Sequence, residues 1–101
     1  MPRSASYDDL LMAMLQDEER ALAYLNAALE EPDQKVFLIA LRNVTQAQGG
    51  IAKVAERSGL NRESLYRALS AKGNPSVQTL AAVLAALGAR LGVARLKEKV
   101  A

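Results

Sequence analysis

The sequence predicts an all-α fold, a small helical bundle, on three observations. Half of the 101 residues are apolar, and they are mostly Leu, Ala and Val; Phe37 is the single Phe, and Trp and Cys are absent. That composition suits packed helices better than stacked sheets. Apolar residues recur at helical spacing in successive blocks, and Asp, Asn or Ser stands before most of them as a helix-capping residue.

The elements follow in order. The first residues, up to about Ser6, show no pattern. Residues 7–15 form a short helix with Leu10, Leu11, Met14 and Leu15 on one side. Asp17 then caps a second helix, with Glu18 and Glu19 in its first turn, where the helix dipole favours carboxylates. Its apolar stripe is Leu22, Leu25 and Leu29, supported by Ala21 and Ala28, and Pro32 stops it near Glu31. Asp33 caps the third helix, which buries Phe37, Ala40, Leu41 and Val44, with Leu38 and Ile39 widening the face. Gly49 closes it in a left-handed conformation.

The next block, "GIAKVAERSGLNRESLYRALSAKGNPS", holds two short helices. The first turns Ile51, Val54 and Ala55 inward and leaves Lys53, Glu56 and Arg57 in water. Asn61 caps the second, whose Leu65, Ala68 and Leu69 face the core. After a Gly-Asn-Pro turn, Ser76 caps a last helix built on Val77, Leu80, Ala81, Val83, Leu84 and Leu87, ended by Gly88. The tail reads two ways: Leu91, Arg95 and Lys99 share a helix face, but Gly92 and Val93 favour a short strand. A lone edge strand needs a partner, and the simplest is the same strand of a second copy.

Charge is divided along the chain. Residues 1–33 carry two basic and eight acidic side chains, whereas 34–101 carry eleven basic and three acidic ones. The chain therefore divides into an acidic N-terminal helical segment, 1–33, and a basic part, 34–101, within one compact domain. Such a division points to different partners for the two ends, or to one end neutralising the other. The longest uncharged stretch, 73–89, includes Asn74, Pro75, Ser76, Gln78 and Thr79, so no membrane span is expected. The apolar run near the N-terminus is too short for a signal peptide, and a cytoplasmic setting is expected.

No enzyme is expected either. Without His or Cys the commonest bases and metal ligands are missing, so no catalytic residue, metal or cofactor is assigned. Asp8-Asp9 and Glu18-Glu19 are sequence neighbours whose side chains diverge on a helix, and Ser58 and Ser64 have no visible base.

Helices of eight to ten residues are unstable alone, so the pair at 50–70 exists through packing. A small Ala55, Gly59 four residues later and apolar positions at fixed offsets form the pattern of a helix-turn-helix. Its second helix leaves Arg62, Glu63, Tyr66 and Arg67 exposed, with Ser70 at the end of the same face. Arg donates two bonds to guanine or phosphate, Glu accepts from cytosine, and Tyr offers a hydroxyl and an apolar ring. The first four are the candidate base contacts. Lys53, Asn61, Ser70, Lys72, Asn74 and Ser76 are the candidate backbone contacts, and the helix N-terminus favours phosphate. A Glu63–Arg67 pair, worth about 0.3–0.5 kcal/mol, would instead make these ordinary surface charges.

Over 37–93 the chain resembles the antidote (antitoxin) proteins of bacterial addiction modules that carry a Cro/C1-type (XRE-like) helix-turn-helix. "GLNRESLYRALS", "GNPS" and "LAALGARLGV" carry the resemblance, and the acidic "YLNAALEE" ahead of them suits it. The resemblance implies a lambda-repressor-like domain with a C-terminal strand. It also implies a homodimer that binds double-stranded operator DNA, represses its own operon and neutralises a basic, RNA-cleaving RelE/HigB-like toxin. By position the recognition helix would be 61–70 and its support 50–58. Leu91 and Val93 would serve dimerisation, although Gly92 weakens a strand. The acidic segment, with Glu18, Glu19, Tyr24, Glu30 and Glu31, would dock the toxin. A repressor without a toxin, and a protein-sequestering helical module that does not bind DNA, are the competing readings.

Overall fold

The computed structural model describes residues 5–96, with side chains from Tyr7 onward. Among the described residues six helices follow one another: α1 (Ala5–Leu15), α2 (Glu18–Leu29), α3 (Lys35–Ala47), α4 (Gly50–Ser58), α5 (Arg62–Ala68) and α6 (Val77–Ala86). The all-α expectation holds. The patternless first residues up to position 4 and the basic end at 97–101, with Lys99, lie outside the described residues.

The strand expected around Leu91 and Val93 is not formed, and residues 89–96 are irregular. A strand is stabilised by a neighbour that takes its backbone bonds. Among the described residues no extended segment runs beside this one, and Gly92 adds backbone entropy without a side chain to pack.

The six helices share one core. α1 and α2 pack on α3 and on each other, while α4 packs on α3, α5 and α6. Leu15, Leu25, Phe37, Leu41 and Val44 join Val54, Leu65, Leu69, Val83 and Leu84 in one continuous apolar body. Each buried Leu or Val contributes about 1.5–3 kcal/mol by leaving water. Gln48 adds a polar tie, its Nε2 donating to the carbonyls of Leu15 at 2.7 Å and Gln16 at 3.3 Å. The end of α3 is thus fastened to the end of α1.

Local signals place the helix starts well. Asp17 accepts from the Arg20 N–H, Asn61 from Ser64 and Ser76 from Thr79, each as a side-chain cap. Asp33 acts one residue early: its carboxylate accepts from Lys35 N–H at 3.0 Å, while Gln34 occupies the cap position. Gly49 and Gly88 sit at positive φ beyond α3 and α6.

The breadth of each buried face is where expectation and structure part. In α2 the buried stripe is Ala21, Leu25 and Ala28; Leu22 and Leu29 are exposed, Leu29 by 58%. Leu10 and Ile39 also face outward. In α6 only Val83 and Leu84 are fully buried, and Val77 is 72% exposed. Helical spacing names a face, but a small bundle has too few neighbours to cover the full width of every face.

Among the described residues, one buried side-chain polar atom is left without a partner. The Thr45 hydroxyl is shielded from solvent and has no hydrogen bond. Thr45→Val should therefore stabilise the protein by about 1 kcal/mol, since an unbonded buried hydroxyl costs about 1–3 kcal/mol. Urea unfolding of both forms reads this directly; an equal or lower midpoint in the variant would show that the hydroxyl is satisfied.

Candidate nucleic-acid interface

The turn between α4 and α5 is built from short-range bonds. Gly59 takes φ +75°, a conformation that side chains resist, and its N–H reaches the Ala55 carbonyl at 2.9 Å. The Ser58 hydroxyl donates to the same carbonyl and accepts from Leu60 N–H, both at 3.3 Å. That hydroxyl has a turn-forming role. Asn61 then caps α5 by accepting from Ser64 N–H at 3.0 Å.

The helix expected over 61–70 is shorter than that. α5 has seven residues, with Leu69 as its C-cap. Leu65 and Leu69 are both buried against the core. Arg62, Glu63, Tyr66 and Arg67 all remain exposed, Tyr66 by 68%. One face of α5 therefore presents two guanidiniums, a carboxylate and a phenol to solvent. Among the described residues the one ion pair is Arg20–Asp17 at 3.9 Å, so Glu63 and Arg67 do not neutralise each other.

The expected backbone contacts divide into two groups. Lys53, Lys72 and Asn74 are exposed. Asn61, Ser70 and Ser76 have side-chain oxygens already engaged: Asn61 and Ser76 in caps, and Ser70 donating to the Arg67 carbonyl at 2.8 Å.

The end of α5 is held from two sides that sequence reasoning missed. Arg42, in α3, donates from Nε to the Leu69 carbonyl at 2.8 Å. Its signal was a lone charge inside the apolar run "VFLIALRNV". On the other side, Gly73 donates to the Ser70 carbonyl at 2.9 Å. A Cβ at Gly73 would overlap the Ala68 carbonyl oxygen, so only glycine fits this approach.

The acidic end forms a separate surface. Glu18, Glu19, Glu30 and Glu31 are exposed at opposite ends of α2, about 18 Å apart at 1.5 Å per residue. Tyr24 differs from them: it is half-buried, and its hydroxyl accepts from Asn43 Nδ2 at 2.9 Å, tying α2 to α3. Between α2 and residues 89–94 runs a groove of about 350 Å³, lined by Leu22, Leu29, Phe37, Leu84, Leu91 and Val93 among others. Leu91 and Val93 are also exposed.

A small all-α bundle with a short, outward-facing basic helix on one part and an acidic helix on another is thus the class of molecule defined by fold and surface. Its family is that of the probable addiction module antidote proteins: the model of that family matches residues 6–95, and the chain belongs to it. The match takes in α1 and α2 as well as the part from α3 onward where the motifs lie. A Haemophilus influenzae (strain ATCC 51907 / DSM 11121 / KW20 / Rd) protein described as uncharacterized is 37% identical over 79 residues, covering 78% of this chain and 80% of that relative. No solved structure matches the chain significantly.

Gly73→Ala should lower stability by about 1–3 kcal/mol, the range for forced overpacking, because a carbonyl oxygen must be displaced. Thermal unfolding monitored by circular dichroism tests this; an unchanged midpoint would mean that the 70–76 loop shifts freely.

Proposed function

We propose that this protein is the antitoxin of a type II toxin–antitoxin module. It binds operator DNA as a dimer through α5, represses its own operon, and neutralises a basic, RNA-cleaving RelE/HigB-like toxin through α2. The observation that carries the DNA half is the unpaired, exposed face of Arg62, Glu63, Tyr66 and Arg67 on a helix anchored by Leu65 and Leu69. α4 and α5 then act as a helix-turn-helix, with Lys53, Lys72 and Asn74 reaching phosphates beside the bases read by α5. Leu91 and Val93, exposed in a segment without a strand partner of its own, serve the contact between copies.

The protein-binding half rests on exposed carboxylates at both ends of α2. Glu18 and Glu19 lie in the first turn of α2, where the dipole stabilises carboxylates. Glu30 and Glu31 lie beyond its other end, where the dipole disfavours them. Exposed Leu22 and Leu29 on the same helix add apolar area for a partner. A basic protein meets complementary charge at both ends of α2, which favours fast association and correct orientation.

Two measurements test the two halves. Titration against the upstream duplex and a scrambled duplex, at two salt concentrations, should show selective binding that weakens steeply with salt. Selectivity should vanish in the Arg62→Ala/Arg67→Ala double variant, and sedimentation of the complex should give two chains per duplex. Equal, weak binding to both duplexes would remove the DNA reading. For the toxin, reversing Glu30 and Glu31 to Lys should weaken binding at least tenfold, and reversing Glu18 and Glu19 should weaken it further. Wild-type affinity in both reversals would exclude α2 as the docking surface.

A further inference from the structure

We infer that Arg42 is the positioning residue that sets the stance of α5, and through it the selectivity of the proposed DNA interface, without itself touching a base. This rests on the DNA reading for its consequence, but its structural basis is independent. α5 is seven residues long and packs its backbone on α4. A helix that short has no stability of its own, and Leu65 and Leu69 anchor it by its buried side only. Beyond that packing and the turn at Gly73, its far end is tied by a bond that crosses from another helix.

The geometry of that bond is specific. Arg42 Nε donates to the Leu69 carbonyl at 2.8 Å, joining residues 27 positions apart. Leu69 is the C-cap of α5, so its carbonyl belongs to the end of the helix that carries partial negative charge. A guanidinium there makes a charge-assisted bond, stronger than one between neutral groups. Arg42 and Ala71 line both of two clefts, one of about 350 Å³ that also includes Tyr66 and Ser70, the other of about 160 Å³ against Lys35 and Ile39. The arginine side chain stands between these clefts as a strut from α3 to the end of α5. Tyr66, a candidate base contact, borders the first of them.

Lysine does not reproduce this device. Its ammonium keeps the charge but has no Nε–H held at the branch of a planar fork. Arg42→Lys therefore separates positioning from charge, and Arg42→Met removes both while keeping an apolar stem.

The test has two arms. In the first, amide hydrogen exchange by NMR on the free protein compares α5 with α3 and α6. Exchange at Leu65–Leu69 should accelerate about tenfold or more in Arg42→Lys, in keeping with loss of a bond to a charged group, while Leu41, Val44 and Val83 stay protected. Unchanged α5 exchange would overturn the strut, and uniform acceleration would show a general loss of stability instead. In the second arm, upstream and scrambled duplexes are titrated at two salt concentrations. Both variants should lose roughly tenfold in the ratio of upstream to scrambled affinity, with scrambled affinity and its salt slope unchanged. Retained selectivity in Arg42→Lys would overturn the proposal. So would equal weakening on both duplexes with a salt slope lower by about one in Arg42→Met, which is the mark of a phosphate contact. If the wild type itself fails to discriminate the duplexes, the DNA reading falls, and the exchange arm alone still decides whether Arg42 holds α5.

Discussion

Phe37, Ala40, Leu41, Val44 and Thr45 place buried atoms over an arc of α3 that spans roughly 140°, at 100° per residue. An arc that wide exceeds what one neighbouring helix can cover, so α3 is buried only when helices close on it from more than one direction. α1, α2 and α4 all pack on it. The remaining helices depend on that arrangement in turn. α4 has nine residues and α5 seven, and neither length is stable without a surface to pack on. Burial of Val54 and Ala55 supplies that surface for α4, and burial of Leu65 and Leu69 supplies it for α5.

A consequence of this dependence is that the exposed face of α5 is set from beneath. Its four outward side chains take no part in the core, because Leu65 and Leu69 supply the buried contacts. The turn before the helix is pinned by Gly59, Ser58 and Asn61, and its end by Arg42 and Gly73. A short helix clamped at both ends presents its surface groups in one orientation, which is the condition for geometric recognition of a rigid partner.

The acidic helix is organised differently. Asp17 and the first-turn glutamates stabilise α2 where they stand, and Tyr24 fixes the helix to α3 through Asn43. Glu30 and Glu31 do neither, and Leu22 and Leu29 remain in water although they are large and apolar. Groups that fold stability does not require are the ones available for a partner. Membership in the addiction module antidote family agrees with that division, since an antidote implies a protein to be neutralised.

Much of this was legible in the residues alone. Caps at Asp17, Asn61 and Ser76, the glycine breaks and the helical spacing are local signals, and they determined the helix order, the all-α class and the outward face of Arg62, Glu63, Tyr66 and Arg67. What tertiary structure decided is everything that depends on a distant neighbour. Periodicity assigned Leu22, Leu29, Ile39 and Val77 to apolar faces, but packing left them exposed because no element lies over them closely enough. The strand at Leu91 and Val93 failed for the same reason, as a strand is a property of two segments. Arg42 meeting Leu69 joins residues whose contact no local spacing encodes. The sequence by itself therefore determined where each helix begins and which side it offers. Only the assembled core decided which of those sides are covered and how α5 is held, because burial and long-range bonds exist only once the other helices are in place.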